Sequence, residues 1–184
     1  MTKTIYLVTG NKGKLTEWQR LFPKTIALES IDIDLTEIQS DSLGEIALDK
    51  AKRAFKKVGK PVLVEDVAVG IDRLNGMPGP YIKYFEIAMG FDALHQLTIQ
   101  DKEPGSALCT IAYYDGTSTI VVIGETKGYI VAARGDGGFG FDKCFMPKGS
   151  NKTYGEMTAK EKDAVSHRRK ALEKLVPKLA KVLQ

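Results

Sequence analysis

A chain of 184 residues suits one large domain or one domain of two lobes, and a hydrophobic content of 43% supports a sizeable core. The net charge of +4, from 27 basic and 23 acidic residues, is too mild to define a nucleic-acid binder and is compatible with a small anionic ligand. No apolar run approaches the ~20 residues of a membrane span, no basic and apolar leader opens the chain, and two cysteines, Cys109 and Cys144, do not make a disulfide framework. The expectation is a soluble, cytoplasmic protein over residues 1–184 as a single domain.

Thr4–Thr9 reads as a buried strand. Thr9-Gly10-Asn11-Lys12-Gly13-Lys14 follows, turning at two glycines into a helix over Leu15–Phe22 that Pro23 ends. The first N–H groups of a helix lack internal partners, and the helix dipole adds partial positive charge there. Glycines admit an anion close to the backbone, and Lys12 and Lys14 add full charges, so this segment is a candidate phosphate seat. Its spacing matches neither G-x-x-x-x-G-K-[ST] nor G-x-G-x-x-G, and a turn with solvated lysines fits the residues about as well. Ile31, Ile33 and Leu35 alternate, which predicts a strand over Ile26–Leu35. Ser42-Leu43-Gly44-Glu45 matches a capping box, and the apolar spacing after it predicts a helix over Leu43–Val58 closed by Gly59.

Pro61–Val64 predicts a short buried strand leading into Glu65-Asp66, and Gly76–Pro80 a rigid loop outside regular structure. Helices are expected over Tyr81–Met89 and Asp92–Thr98. Ala107–Tyr114 and Thr119–Thr126 flank the hairpin signature Asp115-Gly116-Thr117-Ser118, and Gly128–Ala133 predicts another strand. A glycine-rich stretch, Arg134–Phe141, then opens onto Asp142, and the last third reads as helical. Lys162 and His167 are five residues apart and would diverge by roughly 140° on one helix. If both serve one site, the chain must turn between them, with Ser166 then capping a helix to about Val176, ahead of Pro177. The sum is an α/β protein with a mixed sheet.

Three groups of residues carry candidate chemistry. Glu37 and the Glu65-Asp66 pair offer oxygen ligands suited to Mg²⁺, although singly each carboxylate equally suits a cap or a lysine partner. Adjacent strand residues face opposite ways, so Glu65 and Asp66 need not serve one ion. Phe139 and Phe141, held on glycines, suit either base stacking, worth ~1–3 kcal/mol, or a plug at the end of a sheet. Asp142 suits a base N–H. In Ser166-His167-Arg168 the arginine only donates, so aimed at a purine 6-position it would accept a keto oxygen and reject an amino group. Eight of residues 160–184 are Lys or Arg, which suits a solvated helix face or, as a weaker alternative, an RNA-binding surface.

Taken together and in order, Thr9-Gly10-Asn11 with Lys14, Val64-Glu65-Asp66, Gly79-Pro80-Tyr81-Ile82-Lys83, Phe139-Gly140-Phe141-Asp142 and Ser166-His167-Arg168 resemble the inosine triphosphate pyrophosphatase family of non-canonical purine nucleotide hydrolases. The resemblance runs from about residue 4 to residue 175. It is closer to the eukaryotic branch, because Glu-Asp stands where bacterial members tend to have Asp-Asp. It implies a two-lobed α/β fold, an elongated mixed β-sheet flanked by helices, an active-site cleft between the lobes and a homodimer. It implies Mg²⁺-dependent hydrolysis (Mn²⁺ as an alternative ion) of inosine, deoxyinosine and xanthosine triphosphates to the monophosphate and pyrophosphate, with neither nucleic acid nor membrane as partner. By the same resemblance Thr9, Gly10, Asn11, Lys12, Gly13 and Lys14 hold phosphates. Glu37 and Asp66 hold the metal, with Asp66 also activating water. Lys50, Val67, Lys83 and Lys162 contact substrate. Phe139, Gly140, Phe141, Asp142, His167 and Arg168 read the base. Val67 departs from the small hydroxyl residue usual after Glu-Asp. A nucleotide binder without catalysis is the rival reading.

Overall fold

The structure, a computed structural model, describes residues 4–183. Its strands form one mixed sheet of seven, in the order β2-β1-β3-β5-β6-β7 with β4 pairing to β3, flanked by helices. The chain divides into two compact units.

The first unit takes the chain up to Asp66, Cys109–Gly124, and the chain from Arg168 onward. At its centre β1 (Ile5–Val8) runs parallel to β2 (Leu28–Ile31) on one side and to β3 (Val62–Ile71) on the other, with Val8 opposite both Ile31 and Val64. Helix α1 (Lys12–Leu21) leaves β1. Helix α2 (Leu43–Val58) lays Ala47, Ala51 and Ala54 against Val8, Val62, Val64 and Ala112. Ile31, Ile33 and Leu35 all pack on this core, as their alternation implies, yet pairing stops at Ile31 and the strand expected to reach Leu35 does not. Alternating burial needs only an extended chain; a ladder needs a partner strand as well.

Helix α2 has the bounds the sequence predicts. Ser42 Oγ accepts from Glu45 N, and Gly59 closes the helix in the left-handed region at φ 68°. The return half of the box is different: the Glu45 carboxylate accepts from Ser40 Oγ, which in turn accepts from Ser42 N. Helix α1 starts earlier than predicted, so Lys12, Gly13 and Lys14 form its first turn.

The second unit comprises Val67–Leu108 and Glu125–His167. Here β3 continues to Ile71, well past the Val64 end expected of it, because Ala68, Val69 and Ile71 extend its buried run. Glu65 and Asp66 therefore lie within a strand. The Gly76–Pro80 stretch is partly regular: β4 (Pro78–Gly79) pairs antiparallel with Val69 and Gly70. Strands β5 (Glu103–Tyr114) and β6 (Thr119–Ile130) are longer than predicted, and Gly128 lies within β6, where the sequence suggested two strands. A Cβ at Gly128 would meet the Met146 carbonyl oxygen of the facing strand β7 (Phe145–Pro147), so the glycine permits close pairing. That strand was not foreseen.

Helices α3 (Ile82–Met89), α4 (Ala93–Gln96) and α5 (Ala159–Val165) surround a core of Val69, Ile71, Ile82, Leu94, Ile130, Phe141, Phe145 and Tyr154. Helix α4 is shorter than expected, and residues 148–158 are not helical. A complete capping box between Thr158 and Glu161 sets the start of α5. The break at Ser166 is present. Helix α6 (His167–Leu183), however, runs through Pro177, where the sequence predicts an end near Val176. Buried Ala171, Leu172, Leu175 and Leu179 lie on both sides of the proline, and their burial outweighs the missing N–H. Cys109 and Cys144 are free and buried. No helix among the described residues is long and apolar enough to cross a membrane.

Gly70 and Gly44 provide a contrast. A Cβ at Gly70 would collide with the backbone of Gly76, whereas one at Gly44, in the first turn of α2, would make only ordinary contacts at 3.8 Å and beyond. Urea denaturation is expected to show Gly70→Ala destabilised by about 2 kcal/mol or more, and Gly44→Ala unchanged or stabilised by up to about 1 kcal/mol.

Candidate active site

The residues predicted to handle phosphate and metal lie in the first unit. Asn11 caps α1, its Oδ1 accepting from Lys14 N at 2.9 Å, while Asn11 N donates to Thr9 Oγ1 at 3.2 Å. Residues Thr9–Lys14 thus form the exposed or half-exposed N-terminus of a ten-residue helix, directly after a parallel strand. A Cβ at Gly10 would lie 2.6 Å from Asp32 Oδ1, so that exposed side chain would have to move aside.

Lys14 turns toward β3. Its Nζ donates to the Glu65 carbonyl at 3.3 Å and lies 3.5 Å from Glu65 Oε1. The Glu65 carboxylate is buried and fully engaged. Its Oε2 accepts from Trp18 Nε1 at 2.6 Å and from Arg168 Nε at 2.7 Å, and its Oε1 accepts from Arg168 Nη2 at 2.7 Å. Arg168 Nη1 donates to Glu17. Burial works against charge on Glu65, but Arg168 first, then Lys14 and Trp18, outweigh it and hold the carboxyl well below the usual carboxylate range. Arg168, predicted to read a base, is 1% exposed and holds these two carboxylates in its fork.

Asp66, one residue further along β3, has a different set of partners. Its Oδ1 accepts from Lys50 Nζ at 3.0 Å, and Lys50 also pairs with Glu37. Its Oδ2 is buried without a hydrogen-bond partner. Burial pushes the Asp66 pKa up, and Lys50 and Lys14 pull it back only in part. Among the described residues no group of three or more histidine, cysteine or acidic side chains is gathered for a metal. Mg²⁺ does not need one: it takes one or two carboxylates plus waters and substrate phosphates. Two carboxylates around a single lysine, one with an orphaned buried oxygen, fit such an ion.

The residues predicted to meet the base, Arg168 apart, lie in the second unit. Asp142 Oδ2 accepts from Phe139 N at 2.7 Å and from Lys162 Nζ at 2.6 Å. The Lys162 ammonium lies 4.9 Å from the Phe139 ring centroid and 5.3 Å from that of Tyr154. His167 is buried, 5.8 Å from the rings of both Phe141 and Tyr154. The two readings of the aromatic loop divide between its residues: Phe141 is a core plug, while Phe139 is half-buried beside exposed Gly140. Lys83 is exposed on α3, and Val67 packs against the unit's core, offering no hydroxyl.

Sequence reasoning missed Glu17, Trp18 and Tyr154. Glu17 sits beside Trp18 on the buried side of α1, and an acid amid Leu15, Trp18 and Leu21 was a usable signal. Tyr154 lies outside regular structure and had none.

Residues 5–178 match the model of the Ham1 family, and the chain belongs to that family. It is 44% identical to the inosine triphosphate pyrophosphatase of Phaeosphaeria nodorum, over 94% of this chain and 92% of the relative, and 43% identical to that of Yarrowia lipolytica, over 94% and 93%. Among solved structures it is similar to a HAM1 protein from Coxiella burnetii, with a TM-score of 0.81, 29% identity, and coverage of 97% of this chain and 99% of that one. It is also similar to a nucleoside-triphosphatase (dITP/XTP pyrophosphatase) from Mycobacterium abscessus, with a TM-score of 0.72, 31% identity, and coverage of 95% and 99%.

Replacing Glu65 strands Arg168 in the interior. Glu65→Gln is expected to cost about 3–5 kcal/mol at neutral pH in urea denaturation. Because the folded Glu65 pKa is depressed, its contribution is present above the unfolded carboxylate range, about pH 4.3, and fades as pH falls toward the folded value. The gap between wild type and variant should therefore narrow on acidification below about pH 4.

Proposed function

We propose that this protein hydrolyses non-canonical purine nucleoside triphosphates, those of inosine, deoxyinosine and xanthosine, to the monophosphate and pyrophosphate, clearing deaminated purines from a cytoplasmic nucleotide pool. The carrying observation is Asp66: an acid within a buried strand, tied to Glu37 through Lys50 and left with one buried carboxylate oxygen unpartnered. Relatives named inosine triphosphate pyrophosphatase, aligned over nearly the whole chain, support the same reading.

In this reading the Thr9–Lys14 helix start binds phosphate oxygens through backbone N–H groups, and Lys12, Lys14 and Lys83 offset the triphosphate charge. Glu37 and Asp66 are the residues that would hold Mg²⁺ or Mn²⁺, which supplies further charge neutralisation at the phosphates. Water attacks the α-phosphorus, its oxygen forming the new P–O bond as the bond to the bridging oxygen breaks and pyrophosphate leaves. Asp66 takes the water proton, and a pKa raised by burial makes it a stronger base than an ordinary aspartate. Lys50 orients Asp66. Phe139, Gly140, Asp142, Lys162 and His167 receive the base, with Phe141 supporting them from the core. Arg168, buried and held by Glu65 and Glu17, fixes the start of α6 beside His167 rather than meeting the base itself. A homodimer belongs to the proposal, and exposed Tyr84, Ile87, Phe91 and Ile99 supply apolar surface for a second copy to cover.

Val67 is the observation behind the rival reading, a nucleotide binder that does not turn over. Pyrophosphate release across a panel of inosine, xanthosine, adenosine and guanosine triphosphates with Mg²⁺ separates the two. Release is expected from the inosine and xanthosine substrates. Asp66→Asn is expected to lower it by about 10²–10⁴-fold without lowering thermal stability. Full activity in that variant would remove Asp66 from the chemistry.

A further inference from the structure

Helix α3 carries a carboxylate that the proposed reaction leaves unused. Glu86 lies three residues after Lys83, on the side of α3 toward the loop that holds Phe139 and Asp142. It is half-buried, and its Oε1 is buried with no hydrogen-bond partner. It faces Gly140: a Cβ there would stand 3.3 Å from Oε1 and 3.6 Å from Oε2. Gly140 is exposed and left-handed, at φ 57°. An acceptor without a donor is thus packed directly behind the backbone of the candidate base loop.

The charges around Glu86 do not cancel it. Asp142, the nearest acid, is matched by Lys162 at 2.6 Å. The Cys144 thiol, which feels Asp92 as well as Glu86, has its pKa pushed up to about 12 by burial and these neighbours, so it stays neutral. Burial and the Asp142 charge push the Glu86 carboxyl upward from its ordinary range. Once ionised, Glu86 places a negative charge behind the loop.

The two keto-purines respond differently to such a charge. Xanthine carries an extra imide N–H that ionises just below neutral pH, so at mildly alkaline pH its base is an anion. Hypoxanthine keeps its N–H there and remains neutral. We infer that Glu86 is a specificity-determining residue, its carboxylate behind Gly140 disfavouring xanthosine triphosphate relative to inosine triphosphate. The inference rests on the reading of Phe139–Asp142 as the base site and adds the preference between its two substrates.

The test is kcat/KM for both substrates by pyrophosphate release, for wild type, Glu86→Gln and Glu86→Asp, between about pH 6 and pH 8. At the alkaline end Glu86→Gln is expected to lower the inosine-over-xanthosine ratio by on the order of fivefold, the effect of one partly screened charge. The change should appear mainly in KM for the xanthosine substrate, with Glu86→Asp retaining the wild-type ratio. Toward the acidic end, where the xanthine base loses its negative charge, the three proteins should converge. The wild-type ratio must itself rise with pH, which keeps the idea testable if Glu86→Gln misfolds. A pure packing role would move both substrates equally at every pH. A ratio that is flat with pH and unchanged in Glu86→Gln, with both substrates cleaved, overturns the inference. Failure of wild type to cleave either substrate overturns instead the pyrophosphatase reading.

Discussion

Glu65 sits within β3 with its carboxylate removed from water, and the chain answers that charge from two helices. Helix α1 supplies Trp18 and Lys14, and α6 supplies Arg168, which in turn needs Glu17 of α1. Each buried ion left alone would cost several kcal/mol, so none of these groups tolerates loss of its partner. Such a network is weak evidence of net stability, because apolar residues of similar volume often do as well. Its effect is geometric: bidentate contact and a shared acceptor leave few arrangements of α1, β3 and α6 that satisfy every polar atom. The helix start at Thr9–Lys14 and the Arg168 fork are fixed by that restriction.

Strand alternation then gives the adjacent acid a different environment. Asp66 follows Glu65 in the strand and is met by Lys50 of α2 and, across Lys50, by Glu37. Glu65 has every lone-pair direction of consequence answered and is held below the ordinary carboxylate range. Asp66 keeps a buried oxygen unanswered and is shifted upward. Two neighbouring acids whose surroundings push their pKa values apart have different roles. The satisfied one is structural, and the unsatisfied one is the acid to which the proposed reaction gives the cation and the proton.

What could be read in advance follows from how local each cause is. Helix α2 was legible to the residue, because Ser42 at one end, Gly59 at the other and the alanine stripe between them are all short-range signals. The break at Ser166 was legible only on the premise that Lys162 and His167 serve one site, since their divergence of roughly 140° on one helix does not by itself interrupt it. The length of β3 was not, since the glutamate and aspartate looked like a strand end until Arg168, 103 residues away, made burial of Glu65 tolerable. Strand β7 exists because β6 is long enough to receive it, and its three residues, Phe145–Pro147, carry no alternation to detect. Helix α6 continues through Pro177 because buried leucines flank it, a tertiary effect that outweighs the proline's local cost. At the candidate site the residue types were legible but their partners were not. Arg168 was visible as a donor, while the two carboxylates that already hold it come from segments distant in sequence.

The most direct measurement of the central claim is a double-mutant cycle on Glu65 and Arg168, read by urea denaturation at neutral pH. Replacing each residue singly by an uncharged one, and then both together, isolates their coupling. Mutual dependence of the buried charges predicts that the double variant is more stable than the two single losses added together imply, by about 2 kcal/mol or more. Losses that add to within about 0.5 kcal/mol would mean that Glu65 and Arg168 do not hold one another, and the account of how α1, β3 and α6 are fixed would be contradicted.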